Sequence, residues 1–174
     1  PATILHRDTH RMMCRVGVGL YGMHPAETTV PRIELAPVMS VRGRVTRTAY
    51  PQVGEGVGYG FNYRIPKQNI QIATVPVGYA DGLSRSLSGR MDVLADGMRC
   101  RQVGNICMDQ FMFAVDVNPR TYHPTHPVRF GDVVTVMGVD GDEKITADDI
   151  AALRDTINYE VTCNFGMRLQ KVYV

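Results

Sequence analysis

Short apolar runs closed by glycine turns fill most of this chain and leave little length for a helical architecture. The stretches IQIATVPVGYADG, MDVLADGMRCRQVGNICMDQFMFAVDV and GDVVTVMGV are Val- and Ile-rich, and each is punctuated by Asp-Gly or another glycine turn. That pattern is the signature of an antiparallel sheet or barrel. In MSVRGRVTRTAY, Val41 and Val45 sit among Arg42, Arg44 and Arg47, close to the period-two alternation of a strand with one wet face. One helix is expected near the end, in TADDIAALRDTI: Thr146 caps it, Asp148 and Asp149 suit its first turn, and Ile150, Leu153 and Ile157 recur at helical spacing. The expected fold class is mainly β and barrel-like, with that helix packed on the sheet.

The first 25 residues differ in kind. DTHRMMCR reads as a short helix leading into a strand, and Pro25, Pro31 and Pro37 read as an extended connector between this segment and the β-rich remainder, residues 26–174. A chain of 174 residues is long enough to bury a real core. It opens on Pro1 without an initiator methionine, so an upstream segment is expected.

Charge excludes some partners. Nineteen Lys and Arg against seventeen Asp and Glu leave a formal charge of +2 with no run of like sign, which argues against nucleic acid or an anionic membrane surface. A small, roughly neutral ligand fits better. The four cysteines, Cys14, Cys100, Cys107 and Cys163, form no C-x-x-C pair, and no signal peptide or long apolar span is present. Free, buried thiols in a reducing, cytoplasmic compartment are expected.

Gly17, Gly19 and Gly22 carry the spacing G-x-G-x-x-G in MCRVGVGLYGMHP. A dinucleotide fingerprint requires a helix opening at these glycines, but His24 and Pro25 stand where that helix would continue and the chain beyond is β-patterned. Two readings stay open: backbone amides that cradle another anion, or a plain tight strand end. DGDEKITADD resembles a calcium loop in Asp140, Asp142 and Asp148, yet Ile145 and Ala151 replace its turn glycine and its bidentate glutamate, so a hairpin turn and a helix start are expected. His6, His10, His24, His123 and His126 show no zinc-ligand arrangement and read as surface residues.

Five stretches in one order, RVGVGLYG, VGYGFNY, PVGYADG, VGNICMDQ and TINYEV, resemble the carboxy-terminal part of the pyridoxal-phosphate-dependent alanine racemases. The resemblance implies the end of a (β/α)8 barrel over residues 1–25, followed by a β-rich domain. It implies that Arg15 faces the pyridine nitrogen of pyridoxal phosphate and that the amides of Gly17 and Val18 hold its phosphate. Tyr59 matches the catalytic tyrosine, Met108 the residue whose N–H meets the substrate carboxylate, and Tyr79 a tyrosine lining substrate access. Tyr159 matches one that reaches the cofactor phosphate, and it favours alanine over serine as substrate. A tyrosine, ordinarily titrating near ~10, serves as a base at neutral pH only where cations or hydrogen bonds favour its phenolate.

The same resemblance implies a homodimer with shared sites, Arg15 and Tyr59 serving different ones, and a role in supplying D-alanine for peptidoglycan. Two departures stand out. Asn105 occupies a position where some members carry Arg, and Lys67, Lys144 and Lys171 lie outside any segment resembling the cofactor-lysine motif, so these 174 residues alone are expected to be inactive. A non-catalytic β-barrel module for dimerisation or ligand binding is the rival reading.

Overall fold

The computed structural model describes residues 1–117 and 126–174. His123 lies outside the described residues. The chain divides into two compact units, Pro1–Ser40 and Val41–Val174.

The first unit is built from turns. Helix α1 (Ala2–Leu5) is a single turn, followed by 3-10 turns at Arg7–Thr9, Gly17–Tyr21 and Glu27–Arg32. The helix expected in DTHRMMCR is therefore only the 3-10 turn Arg7–Thr9, with no strand after it. No side-chain cap closes that turn, and Met12 and Met13 are fully exposed, so no packing holds a longer helix. The proline connector is also not extended throughout: Pro31 lies inside the 3-10 turn Glu27–Arg32, whose tight helical φ a proline ring matches. Gly22 has φ +75, and a Cβ there would lie 1.8 Å from the Ala36 carbonyl oxygen, so only glycine fits this close approach. His24 is half-buried rather than a surface residue. The fully buried Thr29 spends its hydroxyl proton on the Ala26 carbonyl at 2.6 Å, so its oxygen accepts from the His24 Nδ1–H at 3.0 Å.

The second unit holds the strands β1 (Val41–Arg44), β2 (Arg47–Ala49), β3 (Gly56–Val57), β4 (Tyr63–Arg64), β5 (Ile70–Val75), β6 (Asp92–Ala95), β7 (Met98–Val103), β8 (Phe111–Asp116), β9 (Val133–Asp140) and β10 (Glu143–Ile145). The main sheet runs β1-β9-β6-β7-β8-β5-β2, with β10 paired to β9, and all its pairings are antiparallel. Its two terminal strands, β1 and β2, are sequence neighbours, so the sheet curls until its ends share one stretch of chain. Gly43 on β1 permits this: a Cβ there would lie 2.5 Å from Val75 Cγ1 on β5. The result is an open, barrel-like sheet.

Phe111 and Phe113 of β8, Val93 and Leu94 of β6, and Val134 and Val136 of β9 are fully buried. Each such side chain contributes roughly 1.5–3 kcal/mol through burial. A smaller cluster of Val57, Ile65, Ile70, Ile72, Val103 and Met112 clamps the β3–β4 hairpin onto β5, β7 and β8. Two-residue strands do not stand alone in water, so this cluster is what holds the hairpin in place.

Near the end come α2 (Ala147–Arg154) and α3 (Asn158–Asn164). Thr146 caps α2 as expected: its Oγ1 accepts from the Asp149 N–H at 3.0 Å, and Asp149 Oδ2 accepts from the Thr146 N–H at 2.8 Å. The expected helix stops early because Asp155 turns left-handed (φ 54, ψ 50), which leaves Ile157 exposed outside α2. The Asp140 stretch is the β9–β10 hairpin followed by the α2 cap. Cys100 and Cys107 are buried, but Cys14 and Cys163 are exposed, contrary to the expectation for those two. Among the described residues no helix is long and apolar enough to cross a membrane, and no group of His, Cys, Asp or Glu is arranged to hold a metal ion.

Candidate functional site

The connection between β7 and β8, residues 104–110, organises the second unit's candidate residues. Gly104 (φ +67) starts it under the β3 backbone, where a Cβ would lie 2.9 Å from the Val57 carbonyl oxygen. Asn105 then reaches across: its Nδ2 donates to the Tyr59 carbonyl at 2.8 Å, and its Oδ1 accepts from Asn62 Nδ2 at 3.2 Å. Tyr59 sits in the 3-10 turn Tyr59–Phe61 between β3 and β4, flanked by Gly58 (φ +69) and Gly60 (φ +75). Its backbone is thus fixed while its side chain is 77% exposed, which leaves the phenol available to a ligand.

Further along the same connection, the Cys107 and Met108 carbonyls accept from the Tyr79 and Ala80 N–H groups, each at 3.0 Å. Gly78 permits this contact, since a Cβ there would lie 2.3 Å from the Met108 carbonyl oxygen. Tyr79 and Met108 are therefore neighbours, and both side chains are about half exposed. The Met108 N–H donates to no protein group among the described residues, so it is available to an acceptor from outside. Burial pushes the Cys107 thiol above its ordinary range, against the opposing charge of Arg85, and a neutral thiol here is inert.

Three charged residues that sequence reasoning passed over tie this region together. Asp81 is buried: its Oδ2 accepts from the Gly78 N–H at 2.8 Å, closing the turn that carries Tyr79. Its Oδ1 pairs with Arg168 Nε at 3.2 Å, and the Nη2 of the same guanidinium donates to Asp109 Oδ1. The hydrogen bond to Asp109 and the charge of Asp81 hold the guanidinium's pKa above its ordinary value. Asp81 and Asp109 stand inside GYADG and ICMDQ, a signal available in the sequence. Arg168, in a tail without periodicity, carried none.

Tyr159 lies on α3, 39% exposed, with its carbonyl accepting from Thr162 Oγ1 at 3.0 Å. The carboxy-terminal end of α3 meets the Tyr79 turn, where Gly82 (φ +110) passes so closely that a Cβ would lie 2.1 Å from the Asn164 carbonyl oxygen. A groove of about 320 Å³ opens there, lined by Tyr79, Arg85, Arg154 and Asn164. The larger hollow, about 490 Å³, is lined by Tyr50, Gln52, Asn69 and Ile70 and holds none of the expected site residues.

Arg15, Gly17 and Val18 belong to the first unit. A 3-10 turn that begins at Gly17 leaves the N–H groups of Gly17 and Val18 without intrahelical partners. Gly17 has φ +67 with open space where a Cβ would stand, and Arg15 is exposed. Two amides without intrahelical partners at an open glycine suit a phosphate ester, so Gly17 and Val18 fit the anionic group of pyridoxal phosphate.

The family model described as alanine racemase, C-terminal domain, matches residues 38–173. This chain belongs to that family. The alanine racemase of Nostoc sp. is 40% identical over 173 residues, covering 99% of this chain and 43% of the relative. The alanine racemase of Streptomyces lavendulae, a D-cycloserine producer, superposes with a TM-score of 0.85 at 34% identity, over 100% of this chain and 44% of that one. A structure described as a histidine racemase, from Leuconostoc mesenteroides, superposes with a TM-score of 0.75 at 34% identity, over 91% of this chain and 40% of its own. The chain therefore spans less than half the length of the alanine racemases it matches. The racemase C-terminal fold is also found in a protein described by a different substrate, so the residues facing the ligand have to carry the substrate argument.

Proposed function

We propose that this chain is the carboxy-terminal part of a pyridoxal-phosphate-dependent alanine racemase, interconverting L- and D-alanine. The observation that carries the reading is that the single connection 104–110 both fixes the Tyr59 turn and presents the unpaired Met108 N–H. An acid/base whose turn is tied to the connection that carries the carboxylate donor suits proton exchange at the α-carbon of an amino acid.

In this reading residues 1–25 end a (β/α)8 barrel and residues 26–174 form the β-rich domain. The cofactor, when bound, supplies an electron sink for the charge left at the α-carbon. Gly17 and Val18 would hold its phosphate with their amides and Arg15 would face its ring nitrogen, while Tyr159 matches the family tyrosine whose hydroxyl reaches a cofactor phosphate. A guanidinium keeps its proton near neutral pH, so Arg15 donates a hydrogen bond rather than a proton. The Tyr59 Oη takes or returns the α-proton on one face, and the Met108 N–H orients the substrate carboxylate. Tyr79 lines the approach. Tyr159 also narrows the space near the substrate side chain, which favours alanine over serine.

The enzyme works as a cytoplasmic homodimer with shared sites, Arg15 and Tyr59 serving different ones, and supplies D-alanine for peptidoglycan. The proton on the other face needs a lysine that Lys67, Lys144 and Lys171 do not provide, so residues 1–174 alone do not racemise alanine. The test compares the full-length protein with residues 1–174, each with added pyridoxal phosphate, following the optical rotation of L- and D-alanine. Racemisation by the full-length protein alone is expected. Failure of the full-length protein, or turnover by residues 1–174, overturns the reading.

A further inference from the structure

Arg168 stands apart from the other charged surface residues because one guanidinium reaches two separate loops. Its Nε pairs with Asp81 at 3.2 Å and its Nη2 donates to Asp109, across 59 positions of sequence. Asp81 is no ordinary surface partner. Its side chain is only 6% exposed and is already committed to the Gly78 N–H, so it transmits any constraint from Arg168 directly to the turn bearing Tyr79. Asp109 immediately follows Met108. The two loops are also joined by the paired backbones of residues 79–80 and 107–108. Arg168 closes this junction into a ring: backbone hydrogen bonds on one side, a forked guanidinium on the other.

We infer that Arg168 is a positioning residue that locks the Met108 loop against the Tyr79 turn and thereby sets the direction of the Met108 N–H. The inference rests on the proposed role of that N–H toward the substrate carboxylate. A guanidinium suits the task because its donors lie in a fixed plane and engage two carboxylates at once, whereas an ammonium is a single point charge on a flexible stem. The lock acts through Asp109 rather than by touching substrate, so its loss weakens binding of the carboxylate in ground and transition states alike.

The experiment uses the full-length protein with Arg168→Lys, Arg168→Ala and Asp109→Asn, measuring KM and kcat for alanine together with hydrogen exchange at the Tyr79 and Ala80 amides. Misdirecting a binding group by a fraction of an ångström is expected to raise KM about tenfold in all three variants, with kcat within about twofold of the parent. Exchange at the two amides is expected to quicken while the β5 and β8 amides keep the parent rates. Asp109 is half exposed, so Asp109→Asn leaves the buried Asp81 turn intact and tests the lock even where Arg168→Ala folds poorly. Recovery of parental KM in Arg168→Lys would show that charge alone suffices and overturn the inference, as would an unchanged KM in Asp109→Asn. If the parent itself does not turn over alanine, the proposed function fails, and the exchange rates at Tyr79 and Ala80 still decide whether Arg168 locks the two loops.

Discussion

Tyr59 differs from the other tyrosines of the site in how it is held. Its carbonyl is tied to Asn105 and the residue itself stands between two positive-φ glycines, Gly58 and Gly60, yet it is 77% exposed. Tyr79 and Tyr159 are half in contact with protein, as packing or lining residues are. Tyr59→Phe in the full-length protein keeps the ring and removes the only ionisable atom. Loss of a general acid/base is expected to cost on the order of 10²–10⁴-fold in racemisation. Because a lysine serves the opposite face in the proposed mechanism, exchange of the D-alanine α-proton with solvent should outlast that of L-alanine. Tyr159→Phe should give a milder and symmetric loss. Deuterium incorporation into each enantiomer separately is the measurement, and equal loss for both in Tyr59→Phe would move the assignment to another residue. The exposure of Tyr59 was not legible in the sequence, because an aromatic at a strand end packs inward as readily as outward. Its glycine neighbours were the only local hint of a turn.

At the scale of elements, local chemistry specified beginnings better than ends. The start of α2 follows from Thr146 and Asp149 reciprocally satisfying each other's backbone N–H, a rule that operates over three residues. Thr146→Ala removes the hydroxyl acceptor and is expected to destabilise the fold by about 1 kcal/mol, read as a lower urea midpoint with an unchanged m-value. The end of α2 follows instead from Asp155 taking φ 54, a conformation no helical periodicity announces in a non-glycine residue. Ile157 continued the apolar spacing in sequence and yet falls outside the helix. The 3-10 turn at Gly17 is the converse case. Its glycines signalled a special backbone, but whether that backbone presented free amides depended on the turn geometry that formed.

On the scale of the whole second unit, cooperative unfolding exposes groups that the sheet keeps neutral. Cys100 on β7 lies opposite Val93, is 3% exposed, and has its thiol pushed up to about 11 by burial, with Asp92 adding to the shift. A thiol raised in the folded state holds its proton where the unfolded chain releases it, so the contribution of Cys100 to stability is present below the unfolded value of 9.0 and is lost as pH rises toward about 11. Between pH 8 and pH 11 this linkage is expected to cost about 2 kcal/mol. Cys100→Ala should lose less stability over that interval than the parent by this amount, as urea titrations at the two pH values would register. Alternating apolar residues, glycine turns and a capping box determined by themselves that the chain is mainly β with a helix beginning at Ala147, and the five motifs determined its family. Those signals act over a few neighbouring residues, where steric and hydrogen-bonding preferences are local. Tertiary structure alone decided that β1 and β2, adjacent in sequence, end opposite sides of one sheet, and that the connection 104–110 meets both the Tyr59 turn and the Tyr79 turn. It also decided that Arg168 reaches Asp81 and Asp109, because the partner of a charge is chosen by which distant segments the packed sheet brings within hydrogen-bonding distance.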